Sequence, residues 1–207
     1  AELREAVPAD TAVYVLGGAP SGMELRFVEL NLVPVLYSRE ALERWLSFCG
    51  SQQQSFPCAL KFNTGMTRLG LDRADLELLG GEDAREYLAP VLVMSHLACA
   101  DEPQHPLNQA QLSRFSDIVQ RVKEFYPRIS ASLANSSGTF LGEAYHFDMV
   151  RIGAALYGIN PQMQQPNPLR QVFHLKLPVL QIRSAEQAEV VGYGATANVS
   201  KGARLAV

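Results

Sequence analysis

Several features of membrane proteins and nucleic-acid-binding proteins are missing from this 207-residue sequence. It has no apolar run long enough to cross a bilayer, and its opening stretch, AELREAVPAD, is charged and helical in character, unlike a signal peptide. The basic residues form no cluster, and the net charge of −3 favours neither nucleic acid nor an anionic membrane as a partner. We therefore predict a protein with no membrane and no nucleic acid partner.

Cysteine is also scarce. Cys49, Cys58 and Cys99 are an odd number of cysteines, with no CxxC pair and no spacing typical of a metal site. Free thiols in a reducing cytoplasm are the interpretation that this pattern favours. The histidines after residue 100 have no spacing expected of metal ligands either, so no metal is predicted.

What is present is the composition of a globular protein, with 47% hydrophobic and 19% charged residues. Short apolar runs bracketed by turn residues predict β-strands. These runs are nearly continuous rather than alternating, which is typical of strands buried on both faces of a parallel sheet. The predicted strands are residues 11–17, 32–37, 58–63, 91–97, 128–134 and 148–152.

Helical patterns lie between these strands. Ser38 is predicted to cap a helix that ends near Gly50. The other helices are predicted over residues 73–79, around 82–87, and over 108–126 with Asn108 as a cap. Alternating strands and helices form βαβ units with right-handed crossovers. About six such units predict either a doubly wound sheet or most of a (β/α)8 TIM-type barrel.

The sequence changes character near residue 168. After the turn-rich stretch NPQMQQPNPL come VFHLKLPVLQIRSA, EVVGYGAT and RLAV, which predict short strands without helices between them. We therefore predict an incomplete barrel over residues 1–168 and the start of an all-β domain over residues 169–207. The last predicted strand is not followed by the rest of a β domain, so we expect this chain to be part of a longer protein.

Charged side chains follow the predicted strands, where α/β folds place their chemistry. Lys61 and Arg68 stand seven positions apart in KFNTGMTRLG. A cation at the end of a buried strand is costly unless a partner needs it there. His96 ends the next predicted strand, where a buried core histidine and a functional one are about equally good interpretations.

A phosphate site is predicted after the last two strands of the barrel. In LANSSG, the hydroxyls of Ser136 and Ser137 follow a strand, although such a run taken alone is more often a simple turn. In VRIGAALYG, Arg151 ends a strand, and the backbone N–H groups of Gly153 and Ala154 would suit an anion. Barrels often build phosphate sites from these two loops.

Five motifs, in order, resemble those of alanine racemases over essentially the whole chain: KFNTGMTRLGLD, SHLACADEP, SLANSSGTFLG, FDMVRIGAALYGINP and VGYGAT. The resemblance implies a pyridoxal-phosphate enzyme with an (α/β)8 barrel followed by a β domain. It also implies a cytoplasmic homodimer that interconverts L-alanine and D-alanine and supplies D-alanine for peptidoglycan.

The resemblance implies a role for each charged residue. Arg68 resembles the arginine that reaches the phenolic oxygen of the cofactor and the carboxylate of the substrate. Lys61 resembles a lysine that family members carbamylate, which would turn it into an anion able to pair with Arg68. His96 resembles the histidine beside the cofactor ring, and Arg151 resembles the arginine paired with the pyridine nitrogen.

The resemblance also implies a phosphate cup. Ser136, with the backbone of Gly153 and Ala154, matches the residues that hold the cofactor phosphate. Asn135, next to Ser136 in the same motif, belongs with the cofactor-binding residues.

The sequence departs from the family pattern at two positions. Asn63 stands where family members often have aspartate, and Ser132 stands where they often have histidine. The family's Schiff-base lysine lies in a motif like KANAYGHG and its tyrosine base in a motif like GYADG, and neither motif occurs in this sequence. Two-base transfer of the Cα proton needs both groups. We therefore expect this chain to supply no catalytic base and to have no turnover alone.

Two other functions stay open at this stage. Lys61 at a barrel strand end could itself be the Schiff-base lysine of a lyase or aldolase. The chain could also be a non-catalytic module that binds a phosphorylated ligand. Within the racemase interpretation, specificity for serine or for a broad range of amino acids is open as well.

Overall fold

The computed structural model describes residues 2–207 and divides into two compact units, one through Val172 and one from Phe173 to Val207. The predicted domain boundary near residue 168 stays a prediction. Among the described residues, no helix combines the length and apolar character that a bilayer crossing requires.

The first unit contains five parallel strands that pair in the order in which they occur along the chain. They are β1 (Val13–Val15), β2 (Leu32–Leu36), β3 (Phe56–Lys61), β4 (Leu88–Met94) and β5 (Ser130–Ser132). A doubly wound sheet would reverse its strand order at one point, whereas a barrel keeps adding strands on the same side. The observed order therefore agrees with the predicted incomplete barrel.

Helices connect these strands. They are α1 (Glu2–Ala6), α2 (Glu24–Glu29), α3 (Arg39–Ser51), α4 (Glu82–Tyr87) and α5 (Pro106–Phe125), with 3-10 segments at Arg73–Gly80, Gly138–Phe140, Glu143–Tyr145 and Ala154–Tyr157. The predicted cap of α3 is confirmed, because Ser38 Oγ accepts the N–H of Ala41 at 3.2 Å. The helix continues one residue beyond Gly50, to Ser51.

The predicted cap of α5 is wrong. The helix starts at Pro106, and His105 Nδ1 accepts the N–H of Leu107 at 3.2 Å. Proline suits this first position because it has no N–H to satisfy. Asn108 lies inside the helix, where its side chain donates to the carbonyl of Glu102 at 2.9 Å.

The sixth predicted strand, residues 148–152, is not a strand in the structure. The N–H groups of Asp148 and Met149 both donate to the carbonyl of Ala131 in β5. Asp148 Oδ2 accepts the N–H of Ala131 at 2.8 Å. The Asp148 carboxylate thus accepts the Ala131 N–H that a backbone carbonyl would accept in a regular parallel sheet. The segment lies beside β5 without extending the sheet.

Both faces of the sheet are buried, as the continuous apolar runs predicted. One cluster packs β3 and β4 against the helices and includes Trp45 of α3 and Phe115 of α5. The other face carries a smaller cluster of Val33, Val35, Ala59, Leu92 and Met94. Because side chains alternate along a strand, this second face is the one that a barrel turns inward.

The second unit consists of two antiparallel strand pairs. β6 (Ile182–Ser184) pairs with β9 (Arg204–Ala206), and β7 (Glu189–Val191) pairs with β8 (Ala197–Val199). The only helical segment described in this unit is the short 3-10 turn Tyr193–Ala195. This agrees with the predicted start of an all-β domain. The predicted strand content before residue 182 is wrong, because residues 172–181 have no regular secondary structure.

Candidate functional site

A cavity of about 690 Å³ lies at the carboxyl ends of the strands in the first unit. It is lined by all eight residues that the sequence predicted: Lys61, Arg68, His96, Asn135, Ser136, Arg151, Gly153 and Ala154. The fold therefore brings the predicted residues together around one space. Their roles toward a ligand stay predictions.

The loop after β3, residues 62–71, is closed on itself and carries Arg68. The N–H of Asn63 donates to the carbonyl of Leu71 at 3.0 Å, and the N–H of Leu71 donates to the carbonyl of Lys61 at 2.7 Å. Asn63 Oδ1 also accepts the N–H groups of Gly65 at 3.1 Å and Thr67 at 3.0 Å, so one side chain organises the turn. The loop returns Arg68 toward the strand end that holds Lys61.

The same contacts explain why asparagine is compatible with position 63. The loop uses only the acceptor oxygen of this side chain. An amide oxygen and a carboxylate oxygen both accept hydrogen bonds.

Gly70 allows this loop to close. Its φ angle is +151°, and a Cβ at this position would lie 2.3 Å from the backbone nitrogen of Asn63. A side chain here would push Asn63 out of the position from which it organises the turn. Glycine is therefore required here both because there is no room for a side chain and because the φ angle is positive.

Three cations face the cavity without a carboxylate partner. Within residues 2–207, neither Lys61, Arg68 nor Arg151 forms an ion pair. The pKa of Lys61 is lowered, first by burial and then by the positive charges of Arg68 and Arg151. Such an arrangement is unfavourable by itself and becomes favourable when an anion binds between the cations.

Arg151 is held by backbone carbonyls and one hydroxyl. Its Nη1 donates to the carbonyl of Ser132 at 3.0 Å and to Ser132 Oγ, and its Nη2 donates to the carbonyls of Ser95 and Leu133. Burial lowers the pKa of Arg151 to about 10, so the guanidinium stays charged at neutral pH. These contacts all use Nη1 and Nη2, and the same side chain lines the cavity.

Ser132, one of the two positions at which the sequence departs from the pattern it resembles, contacts Arg151 directly. The Ser132 hydroxyl donates to the carbonyl of Met149 at 2.7 Å. The same oxygen accepts from Arg151. A small hydroxyl therefore links the arginine to the segment that precedes it.

His96 is a neutral imidazole in this setting. Its Nδ1 lies 3.5 Å from Nη2 of Arg151, and its Nε2 lies 3.4 Å from Nδ2 of Asn135. Burial lowers the pKa of His96 to about 4, with further lowering from Arg151, Lys61 and Arg68. At neutral pH the ring adds no fourth positive charge to the cavity.

Asn135 and Ser136 organise the part of the cavity that follows β5. Asn135 Oδ1 accepts the N–H of Gly138 at 2.9 Å, which fixes the turn after β5. Ser136 Oγ accepts the N–H groups of Gly153 at 3.0 Å and Ala155 at 3.2 Å. The exposed N–H of Ala154 has no partner in residues 2–207. We call this group of one hydroxyl and neighbouring amides the Ser136 cradle.

Sequence reasoning missed the residues that support the site from behind. Thr64, Ser95 and Gln111 form a buried hydrogen-bond network beneath the loops after β3 and β4. Thr64 and Ser95 lie within the motifs KFNTGMTRLGLD and SHLACADEP, which could have drawn attention to them. Gln111 lies on α5, and its spacing from the motifs gives no such signal.

Comparisons with known proteins identify the family of this chain. Residues 1–161 match the family described as "Alanine racemase, N-terminal domain". The chain belongs to the alanine racemase family.

Individual relatives extend the match beyond that domain. The chain is 43% identical over 206 residues to the alanine racemase of Rhodospirillum rubrum, covering 99% of the chain and 54% of that protein. It is 44% identical over 193 residues to the catabolic alanine racemase of Mesorhizobium japonicum, covering 93% of the chain and 50% of that protein. The chain thus spans about half the length of the curated relatives it matches.

A solved structure gives the same result for the fold. The alanine racemase of Bartonella henselae, with covalently bound pyridoxal phosphate, superimposes with a TM-score of 0.83 at 32% identity, covering 99% of the chain and 56% of that structure. The predicted fold class, an incomplete TIM-type barrel followed by the start of a β domain, is confirmed.

Proposed function

We propose that this chain supplies the phosphate, ring and carboxylate contacts of a pyridoxal-phosphate-dependent alanine racemase. The whole protein would interconvert L-alanine and D-alanine by two-base transfer of the Cα proton. The observation that carries the proposal is a single cavity with three cations that lack carboxylate partners, next to the Ser136 cradle. A ligand with both a phosphate and a carboxylate uses both features.

The residues present fit the cofactor. Its phosphate would be held by Ser136 Oγ and the amides of Gly153 and Ala154, and its ring would lie beside His96. When bound, pyridoxal phosphate supplies an electron-withdrawing ring that makes the Cα proton of an attached amino acid acidic.

Arg151 determines the protonation of the ring nitrogen in this proposal. A guanidinium has donors only, so the nitrogen facing it stays an unprotonated acceptor. The cofactor ring would therefore withdraw electrons more weakly beside an arginine than beside a carboxylate. This suits a reaction that removes one proton and returns it.

Arg68 and Lys61 would act on the carboxylate side. Arg68 reaches the cavity from the closed loop after β3 and can bind the substrate carboxylate. We propose that the Lys61 amine adds to carbon dioxide, forming an N–C bond and releasing one proton. The resulting carbamate anion would steady Arg68. The lowered pKa of Lys61 favours this step, because only the neutral amine is a nucleophile.

Proton transfer itself would need groups beyond those at this cavity. Among the described residues that line it, none is a tyrosine, and Lys61 is the one lysine. We therefore propose that this chain alone binds the cofactor but does not racemise alanine. Homodimer formation, a cytoplasmic location and D-alanine supply for peptidoglycan are proposed on the resemblance alone.

Titration with pyridoxal phosphate tests the proposal, with Ser136→Asp as the variant. A carboxylate placed at the cradle should repel the phosphate and weaken binding by at least about tenfold. Ser116→Asp, at an exposed position of α5, makes the same chemical change away from the cavity and should bind like the original chain. Equal affinity for the two variants would overturn the phosphate assignment.

The lowered pKa of Lys61 also favours a second candidate function. A neutral lysine at a barrel strand end can form a Schiff base with a carbonyl substrate, as in lyases and aldolases. Borohydride reduction with a carbonyl compound, followed by peptide mapping, separates the two functions. Covalent labelling at Lys61 favours the lyase, whereas labelling elsewhere excludes it.

A further inference from the structure

A buried glutamine on α5 connects the two loops that carry the charged side of the cavity. Gln111 is completely buried, and its side-chain amide forms three hydrogen bonds. Its Oε1 accepts the N–H of Ala98 at 2.9 Å, and its Nε2 donates to the carbonyl of His96 at 2.9 Å and to Thr64 Oγ1 at 3.1 Å. One side chain thus binds the loop after β4 and the loop after β3.

The hydrogen bonds continue in one direction. Thr64 Oγ1 and Ser95 Oγ are 2.7 Å apart, and Ser95 Oγ donates to the carbonyl of Phe62 at 2.8 Å. The hydroxyl proton of Ser95 is donated to the carbonyl of Phe62, so Ser95 Oγ can only accept from Thr64. The Thr64 hydroxyl therefore donates to Ser95 and accepts from Nε2 of Gln111. Every polar atom of this network is satisfied, which makes it rigid.

The network lies directly behind the candidate site residues. Thr64 is in the closed loop that carries Arg68, and Ser95 precedes His96. The carbonyl of Ser95 also accepts a hydrogen bond from Arg151. Gln111 therefore acts on the loops after β3 and β4, whereas the hydrogen bonds of the Ser136 cradle involve no member of the network.

We propose that Gln111 is a positioning residue that fixes His96 and the Arg68 loop at the separation needed to hold the pyridoxal ring. The inference rests on the proposed function, since the ring is its ligand. It assigns no chemistry to Gln111 itself, which does not line the cavity.

Comparison of two ligands tests this inference. Gln111→Met keeps the length of the side chain but removes its hydrogen bonds, leaving the amide of Ala98 and the carbonyl of His96 unsatisfied. We expect affinity for pyridoxal 5'-phosphate to fall about tenfold, as misplacement of binding groups by a fraction of an ångström commonly costs. Affinity for inorganic phosphate, which needs only the cradle, should stay within about twofold.

Two further variants separate positioning from general destabilisation. Val122→Ala removes buried volume from the same helix away from the network, and it should leave both affinities unchanged. Thr64→Val breaks the same chain of hydrogen bonds one link further along. Its effect on pyridoxal phosphate should therefore not add to that of Gln111→Met.

The outcomes are distinguishable. Equal weakening of both ligands, unchanged affinity for pyridoxal phosphate, or full additivity with Thr64→Val would overturn the positioning role. If the unmodified chain binds inorganic phosphate but not pyridoxal phosphate, or neither, the proposed function fails and the inference falls with it. Faster hydrogen exchange at the Ala98 amide in Gln111→Met, but not in Val122→Ala, would report the broken contact directly.

Discussion

Nη2 of Arg151 lies 3.5 Å from Nδ1 of His96, so a permanent cation faces the imidazole ring. The arginine cannot move away easily, because the carbonyls of Ser95 and Leu133 accept from the same nitrogen. Protonation of His96 would place two positive charges side by side in a half-buried space. The ring is therefore held in its neutral form by its neighbour as well as by burial.

This relationship predicts a pH-dependent stability. The pKa of His96 is lowered from 6.5 to about 4 in the folded chain. Between these two pH values the unfolded state binds a proton that the folded state does not, so stability falls as the pH falls from 6.5 to about 4. We expect a loss of about 1 to 2 kcal/mol, allowing for the solvent that reaches the ring. Urea unfolding across this pH range measures it.

A matched pair of variants assigns that loss to His96. His96→Gln should flatten the dependence of unfolding free energy on pH. His174→Gln, at an exposed position, should leave the slope as it is. Identical slopes for both variants would contradict the assignment.

Gly70 should be intolerant of substitution. In Gly70→Ala, a Cβ would lie 2.3 Å from the nitrogen of Asn63 at a φ of +151°, so the loop must open. We expect a loss of at least about 3 kcal/mol in unfolding free energy, together with loss of ligand binding. Gly142→Ala is the control, since Gly142 also has a positive φ, +112°, but no atom within 4 Å of the added methyl group. This variant should lose only about 1 to 2 kcal/mol. Equal losses would show that steric contact is not the cause.

Carbamylation of Lys61 should depend on carbon dioxide and on pH. With ¹³C-labelled bicarbonate, we expect one protein carbamate signal in the carbon NMR spectrum, growing as the pH rises because more of the amine is neutral. The lowered pKa of Lys61 makes this side chain the favoured target. The signal should vanish in Lys61→Arg and persist in Lys123→Arg, whose lysine is exposed on α5. A signal that survives in Lys61→Arg would assign the carbamate to another amine.

Much of the first unit could be predicted from local sequence patterns. Ser38 was recognisable as a cap because its hydrogen-bond partner, the N–H of Ala41, is only three residues away in the sequence. The site residues were recognisable because parallel strands place their carboxyl ends at one edge, so motifs distant in sequence had to meet there.

The remaining features depend on contacts that no local pattern records. Residues 148–152 have a strand-like sequence, yet the Asp148 carboxylate takes the amide that the ladder needed. Gln111 looks like any polar residue of a helix until the fold buries it beneath two loops. Asn108 was predicted as a cap because asparagine often caps helices. Its actual partner, the carbonyl of Glu102, lies outside the helix and cannot be recognised from the sequence.

The Ser136 cradle has a consequence for selectivity. Its hydroxyl already accepts hydrogen bonds from Gly153 and Ala155, so these amides are occupied before any ligand arrives. At the amides of Gly153 and Ala155, an incoming group therefore gains only the difference between its own acceptor strength and that of a neutral hydroxyl. A water molecule or a neutral carbonyl gains almost nothing by this exchange, whereas a doubly charged oxygen group forms bonds roughly twice as strong. We therefore expect the cradle to select ligands by their charge before it selects them by their shape.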